Sequence, residues 1–416
     1  MNITKRSGYR FDIALKELAL SREFKEGGSR TLKSFGSEEI WKSYFLTALN
    51  YGELSSAFMQ LVIDRAISSH DYVNEGDFLR SINSIAKELF GGRRKYVAVF
   101  PVWNVSPYIE GVMRRNGVTM NFSPARTEKW TKVVQNRQEL AKDQFFKGLR
   151  IFPSETADVS LVFCSVTAVS PQDAYLQADT VLATELGILS ALATSPHSYR
   201  LSFGEKKPIS KFLVCPMVTV HSEKGELAYK GFWYSSFPRN SDPERRVREE
   251  GDKLSFAFKR LRGEISKSAL KSESEDFLAR FQKAFSQTDM EDVFMDGWRL
   301  MEKMCSGNDR KTSYDDVVRR AASHWMQSDM IIQIGMHLKD RRNYLSHGRD
   351  IAAEDQEDLA FQVLKLLHPI LMGISWNRFG FRSLSEYHEF CDAPRNLDDL
   401  RRRMFIIDKA ISYISK

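Results

Sequence analysis

The chain has 416 residues and a mass of 47.9 kDa, enough for roughly two to three domains at ~150 residues each and for at least one full hydrophobic core. A hydrophobic fraction of 42%, with 12% aromatic residues, 12 prolines and 23 glycines, excludes a disordered or collagen-like chain. The net charge of +7 is uneven: residues 251–416 hold 27 Lys and Arg against 26 Asp and Glu, so the first 250 carry most of the excess, a modest bias that suits a polyanion-facing or a plain solvated surface.

Cys164, Cys215, Cys305 and Cys391 stand singly, with no C-x-x-C pair, so the sequence suggests neither a disulfide framework nor a zinc site. The opening stretch MNITKRSGYRFDIALKEL lacks the apolar core of a signal peptide, and no window of ~18 uninterrupted apolar residues occurs. A cytoplasmic protein without a membrane span is expected.

To about residue 90, Ile40, Tyr44, Phe45, Ala48, Leu54, Phe58, Leu61, Ile63 and Ile67 recur near the helical period, which predicts helices. Short β-rich runs follow at 96–103, 118–122, 158–169, 211–220 and 226–237, with a turn expected at Ser222 to Gly225 and helices at about 105–115, 126–148 and 172–195. Residues 236–252 mix prolines, Asn, Ser and both charges, so they read as a linker. Beyond it the strand signal stops, and helical segments broken near Gly307, Gly348 and Gly380 continue to Lys416. The expected fold class is α+β: a mixed region at 1–235, helical at 1–90 and sheet-containing at 91–235, then an all-α bundle at 253–416.

The segment Met326 to Gly348, MQSDMIIQIGMHLKDRRNYLSHG, concentrates the chemistry. Met330, Ile334 and Leu338 form a stripe whose next member in register is Arg342. Asn343 and His347 are one helical turn apart, and Arg342 lies about 100 degrees from Asn343 around the helix. Gly348 is placed to stop the helix, which puts His347 in its final turn, where the negative end of the dipole favours imidazolium.

Arg342-Asn343-Tyr344-Leu345-Ser346-His347 resembles the R-x4-6-H motif of the HEPN superfamily of helical ribonucleases, with a polar residue directly after the Arg. Phe294, Trp298 and Glu302 are similar to the F-x3-W-x3-E helix that precedes this motif in Apea-like HEPN domains of bacterial defence proteins. The resemblance covers roughly 255–416. It implies a HEPN-like bundle that cuts RNA, tRNA included, without metal or cofactor, by attack of the substrate's own 2′-hydroxyl. It further implies a homodimer through the C-terminal domain and a role in abortive infection, with a phage-derived activator at the N-terminal region. Arg342, Asn343 and His347 are then the catalytic candidates, with Glu302 and Arg341 in support: the guanidinium would hold the phosphate and His347 would serve as general base or general acid.

Plainer alternatives stay open. Arg342 could pair with Asp350 or Glu354, His347 could simply cap its helix, and Arg341 offers an R-x5-H register. Phe294 and Trp298 read first as core. The helical domain could also be a non-catalytic dimerisation or nucleic-acid-binding scaffold. In the N-terminal region no phosphate loop or G-x-S-x-G occurs. Arg93, Arg94 and Lys95, together with Arg114, Arg115 and Arg126, are candidates for an RNA-facing surface or for a solvated basic one.

Overall fold

The structure is a computed structural model that describes all residues except 1, 21, 25–29, 33–36, 53, 70–71, 73, 107, 124–126, 143–158, 201, 203–205, 234–250, 308–310, 327, 349–352 and 416. The apolar periodicity of the first 90 residues folds into α1 (Phe11–Leu20), α2 (Ser37–Ala48), α3 (Ser56–Ser69) and α4 (Glu75–Gly91). These helices bury an interior of their own around Phe11, Phe45, Phe58, Ile63, Ile67, Phe78 and Ile82. Asn74 caps α4 by accepting the Asp77 N–H. Ile40, counted toward this core from its spacing, is 67% exposed. Two short pairings that the sequence did not announce accompany the helices: β1 (Thr4–Lys5) with β4 (Leu49–Asn50), and β2 (Arg22–Phe24) with β3 (Arg30–Leu32).

A six-stranded antiparallel sheet follows, made of β5 (Arg94–Trp103), β6 (Val112–Arg115), β7 (Val118–Asn121), β8 (Val159–Ala168), β9 (Leu213–Val214) and β10 (Thr219–Ser222). β5 and β8 pair along their whole length, from Arg94 opposite Ala168 to Trp103 opposite Val159. Their residues alternate between two covered faces. Val97, Val99 and Phe163 pack with Val133 of α5 (Glu128–Lys142), while Ala98, Phe100 and Val102 join the main core, to which α6 (Pro171–Ala193) also belongs.

Residues 105–115 are not the expected helix. They form a turn, with the Tyr108 and Ile109 N–H groups on the Val105 carbonyl, followed by β6. The cause is Asn116-Gly117: both take positive φ, +46° and +78°, the two-residue turn that joins twisted antiparallel strands. The run 211–220 is broken into β9 and β10, with Met217 at φ +72° between them, and 226–233 makes only isolated bridges at Leu227 and Trp233. The turn expected at Ser222 to Gly225 is present, the Gly225 N–H donating to the Ser222 carbonyl.

From residue 251 every described element is a helix: α7 (Gly251–Lys267), α8 (Lys271–Phe285), α9 (Met290–Ser306), α10 (Tyr314–Ala322), α11 (Ser328–Ser346), α12 (Ala353–Trp376), α13 (Leu384–Cys391) and α14 (Leu397–Ile414). Gly307, Gly348 and Gly380 interrupt them with φ of +56°, +70° and +69°. Most of the linker assigned to 236–252 lies outside the described residues, and residues 251–252 open α7. The interior does not divide there. α6 is buried on nearly all sides and lets one continuous core run from the sheet into the helices, with Gly187 lying directly against the backbone of Leu278 in α8.

α6 and the Asp355–Trp376 part of α12 are long and apolar enough to cross a membrane, but 67% of each apolar window is buried inside the fold. The four cysteines are buried and unpaired.

Candidate active site

The site begins with α9, capped by Asp289, whose carboxylate accepts the N–H groups of Glu291 and Asp292. Phe294, Trp298 and Met301 are fully buried, so the aromatic pair is core. The rings of Trp298 and Tyr314 pack edge to face, with centroids 6.3 Å apart at 64°. Tyr314 is the first residue of α10. Its position is fixed by a reciprocal cap in which Ser313 accepts the Asp316 N–H and Asp316 accepts the Ser313 N–H.

α11 then brings its last turns to the same ring. Its buried face is Ile331, Gly335 and Leu338, not the stripe through Met330, which is 49% exposed. Gly335 makes the difference: a Cβ there would stand 2.5 Å from Val318 of α10 and 3.2 Å from Leu366 of α12, so α11 approaches these helices through a residue with no hydrophobic signal. Arg342 still falls one turn beyond Leu338.

The Arg342 guanidinium lies over the Tyr314 ring, 4.7 Å from its centroid, and its Nη1 donates to Asn343 Oδ1 at 3.2 Å. Its Nε is buried and makes no hydrogen bond with a described residue, nor is Arg342 in an ion pair with one. Asp350 and the Glu354 side chain, its alternative partners, lie outside the described part of the structure. Arg341 differs. Its Nη2 pairs with Asp355 of α12 at 3.3 Å.

α11 ends at Ser346. The His347 N–H donates to the carbonyls of Asn343 and Tyr344, and the Gly348 N–H to that of Leu345. The His347 ring is exposed and bonds no described residue. Asn343 therefore turns its amide oxygen to Arg342, while its link to His347 runs through the backbone. Glu302 is half-buried and its carboxylate makes no bond to Arg342; the structure does not place it in the support expected of it. Tyr314 was missed by sequence reasoning, although the Ser313-x-x-Asp316 cap just ahead of an apolar run marks the start of its helix.

The N-terminal basic residues divide. Arg93, Arg94 and Lys95 are exposed, with Arg93 stacked on Phe90 at 3.5 Å and Lys95 paired with Glu223 at 3.4 Å. Arg93 also lines a cleft of about 980 Å³ with Ser55, Asn116, Asp173 and Lys271. Arg114 is exposed, and Arg126 lies outside the described residues. Arg115 cannot serve an RNA surface, being 7% exposed and bonded to Glu185 at 2.8 Å and Glu275 at 2.5 Å. Burial opposes its charge, and the two carboxylates more than offset this, raising its pKa.

The remaining described histidines, apart from exposed His337, have local tasks. His368 and His388 bond the carbonyls of Ala191 and Met304, His324 bonds the Tyr387 hydroxyl, His221 bonds Thr219, and His197 meets the Trp325 ring edge. Among the described residues no three His, Cys, Asp or Glu side chains group as a metal site. Comparison with protein-family models, curated proteins and solved structures finds no match.

Chemically, the end of α11 offers a planar cation steadied by neutral groups and, five residues on, an imidazole open to solvent. The first can carry phosphate charge, and the second can take or give a proton.

Proposed function

We propose that this protein is a metal-independent endoribonuclease of the HEPN type that cleaves RNA, tRNA among its targets, by 2′-hydroxyl attack. In this reading it is a cytoplasmic homodimer and a toxic effector of antiphage defence, with the N-terminal region answering a phage-derived activator. The observation that carries it is Arg342, held by Tyr314 and Asn343 and in no ion pair with a described residue, five residues before the exposed His347 at the end of the same helix.

The chemistry needs little else. A base takes the proton of the ribose 2′-hydroxyl, the freed oxygen attacks phosphorus, and the bond to the 5′-oxygen breaks as that oxygen takes a proton. The products are a 2′,3′-cyclic phosphate and a 5′-hydroxyl. Charge grows on the phosphate oxygens along the way, where a guanidinium already fixed in place costs no reorganisation. His347 supplies one of the two proton transfers. A non-catalytic scaffold would use Arg342 only to pack on Tyr314 and leaves the exposed imidazole without a task.

The test is purified full-length protein with mixed RNA and a chelator. The parent should leave cyclic phosphate ends, and His347→Ala should be slower by at least ~10². Equal rates would remove His347 from the reaction, and loss of the parent's activity on chelation would overturn metal independence.

A further inference from the structure

We propose that α14 pairs with the α14 of a second copy of this chain, side by side and antiparallel. α14 is an 18-residue helix with no buried residue. Leu397, Met404, Ile407, Ile411 and Ile414 are between 56% and 82% exposed, and Leu400 is half-buried. These six positions are spaced 3, 4, 3, 4 and 3 apart. That is the a/d spacing of a two-helix coil, and Phe405, Ile406 and Tyr413, between 56% and 83% exposed, lie off this seam.

The flanks indicate what covers it. Arg401 and Asp408 border one side of the stripe, Arg403 and Ala410 the other. When two such helices run in opposite directions about the point between Met404 and Ile407, the apolar layers become Leu397 with Ile414, Leu400 with Ile411 and Met404 with Ile407, each formed twice. Arg401 then faces Asp408 of the second copy, again twice by symmetry, and Arg403 faces Ala410. The surface is complementary to itself, as a two-fold interface requires. A parallel pair would instead set both Arg401-Arg402-Arg403 runs at one level, and the Ile residues at 407 and 414 fit parallel two-stranded packing poorly. A lipid surface suits the helix less well, because Asp398, Asp399 and Asp408 share its polar flanks with the arginines.

The helix starts from a fixed base. Just before it, Arg395 donates to the carbonyls of Trp325 at 3.0 Å and Ala322 at 2.8 Å, and Asn396 caps it by accepting the Asp398 N–H. At ~27 Å the seam is short, so pairing through it alone is reversible and follows concentration. It gives the homodimer of the functional reading a contact element, and it is measured without RNA.

The experiment is sedimentation of the full chain across a dilution series. The parent should move between monomer and dimer, and Ile407→Asp/Ile411→Asp should stay monomeric with unchanged circular dichroism, since neither side chain is buried. A parent that is monomeric throughout, or a double variant that still dimerises, would overturn the proposal. Arg401→Asp should weaken association about tenfold, and Arg401→Asp/Asp408→Arg should restore it. Orientation is read by oxidation, since the native cysteines are buried. An equal mixture of Leu400→Cys and Ile411→Cys chains should give the mixed disulfide, whereas a Leu400→Cys homodisulfide would refute the antiparallel form. Binding to anionic vesicles by a chain that stays monomeric would assign α14 to lipid instead. His347→Ala should sediment as the parent does, which separates failure of this pairing from failure of the nuclease reading.

Discussion

Arg342 of α11 stacks its guanidinium on Tyr314, the first residue of α10, and the same ring packs in a T-shaped pair with Trp298 in α9. Three helices thus meet at one cation. The aromatic helix that sequence reading treats as a family marker reaches the candidate site through a residue absent from either motif.

If Tyr314 positions Arg342, its ring matters and its hydroxyl does not. An exposed cation–π contact is worth about 0.5–1 kcal/mol, up to about 2 when desolvated, so Tyr314→Leu should lower kcat for RNA cleavage about 3- to 30-fold. Tyr314→Phe should keep the parent's rate. A fall confined to KM, or an equal loss in both variants, would point to RNA contact or to the hydroxyl instead.

The two arginines of the motif should behave differently. Arg341 is paired with Asp355, which is 55% exposed in its side chain, and such pairs contribute at most about 1 kcal/mol. Arg341→Ala should therefore cleave RNA nearly as the parent does, with a small drop in unfolding midpoint. Arg342→Ala should lose at least ~10² in kcat, and Arg342→Lys should recover little of it, because an ammonium cannot make the two parallel bonds of a guanidinium. Cleavage assays on the three variants, with urea unfolding of each, decide between the R-x4-H and R-x5-H registers.

How much was legible follows from how local each signal is. The strands at 96–103 and 158–169 and the helix at 172–195 were readable because a run of neighbours carries the pattern. So was the end of α11, where Arg342, Asn343, His347 and Gly348 lie within two turns. The expected helix at 105–115 failed because Asn116-Gly117, at its far edge, commits the preceding residues to a hairpin. The α11 stripe was set one residue off at Met330 and Ile334, with Leu338 buried as expected, because one of the buried positions is Gly335, which carries no hydrophobic weight. Arg115 looked like a surface cation because Glu185 and Glu275, which hold it, are distant in sequence. Tyr314 stayed hidden for the same reason.

Stability should fall in mild acid. Burial lowers the pKa of His221 to about 4, with the Gly225 carbonyl resisting and the Arg137 charge adding to the shift. Burial lowers that of His324 to about 4 as well, with Arg395 adding to it, and His368 shifts in the same direction. Between the ordinary value of 6.5 and about 4, the unfolded chain holds protons that the folded chain does not, so stability is full above pH 6.5 and drains as pH falls toward 4. Each such histidine adds a slope of about 1.4 kcal/mol per pH unit. Urea unfolding at neutral pH and at about pH 5 should show this loss, and His324→Gln should flatten part of it. A pH-independent midpoint would mean that these rings are protonated in the folded chain.

Gly335→Ala tests whether the close approach of α11 sets the site. Alanine gains up to about 1 kcal/mol of helix propensity over glycine. Against this, its Cβ would stand 2.5 Å and 3.1 Å from the two Val318 methyls, and overpacking of that kind costs about 1–3 kcal/mol. The balance is a net loss of about 1 kcal/mol, read as a lower urea midpoint. Because α11 must move away from α10 to relieve the contact, Arg342 should leave the Tyr314 ring and cleavage should fall with stability. Val318→Ala in the same chain removes the obstructing methyls and should return both. If Gly335→Ala is as stable and as active as the parent, the helices have room that the structure does not give them, and the position of Arg342 does not depend on their spacing.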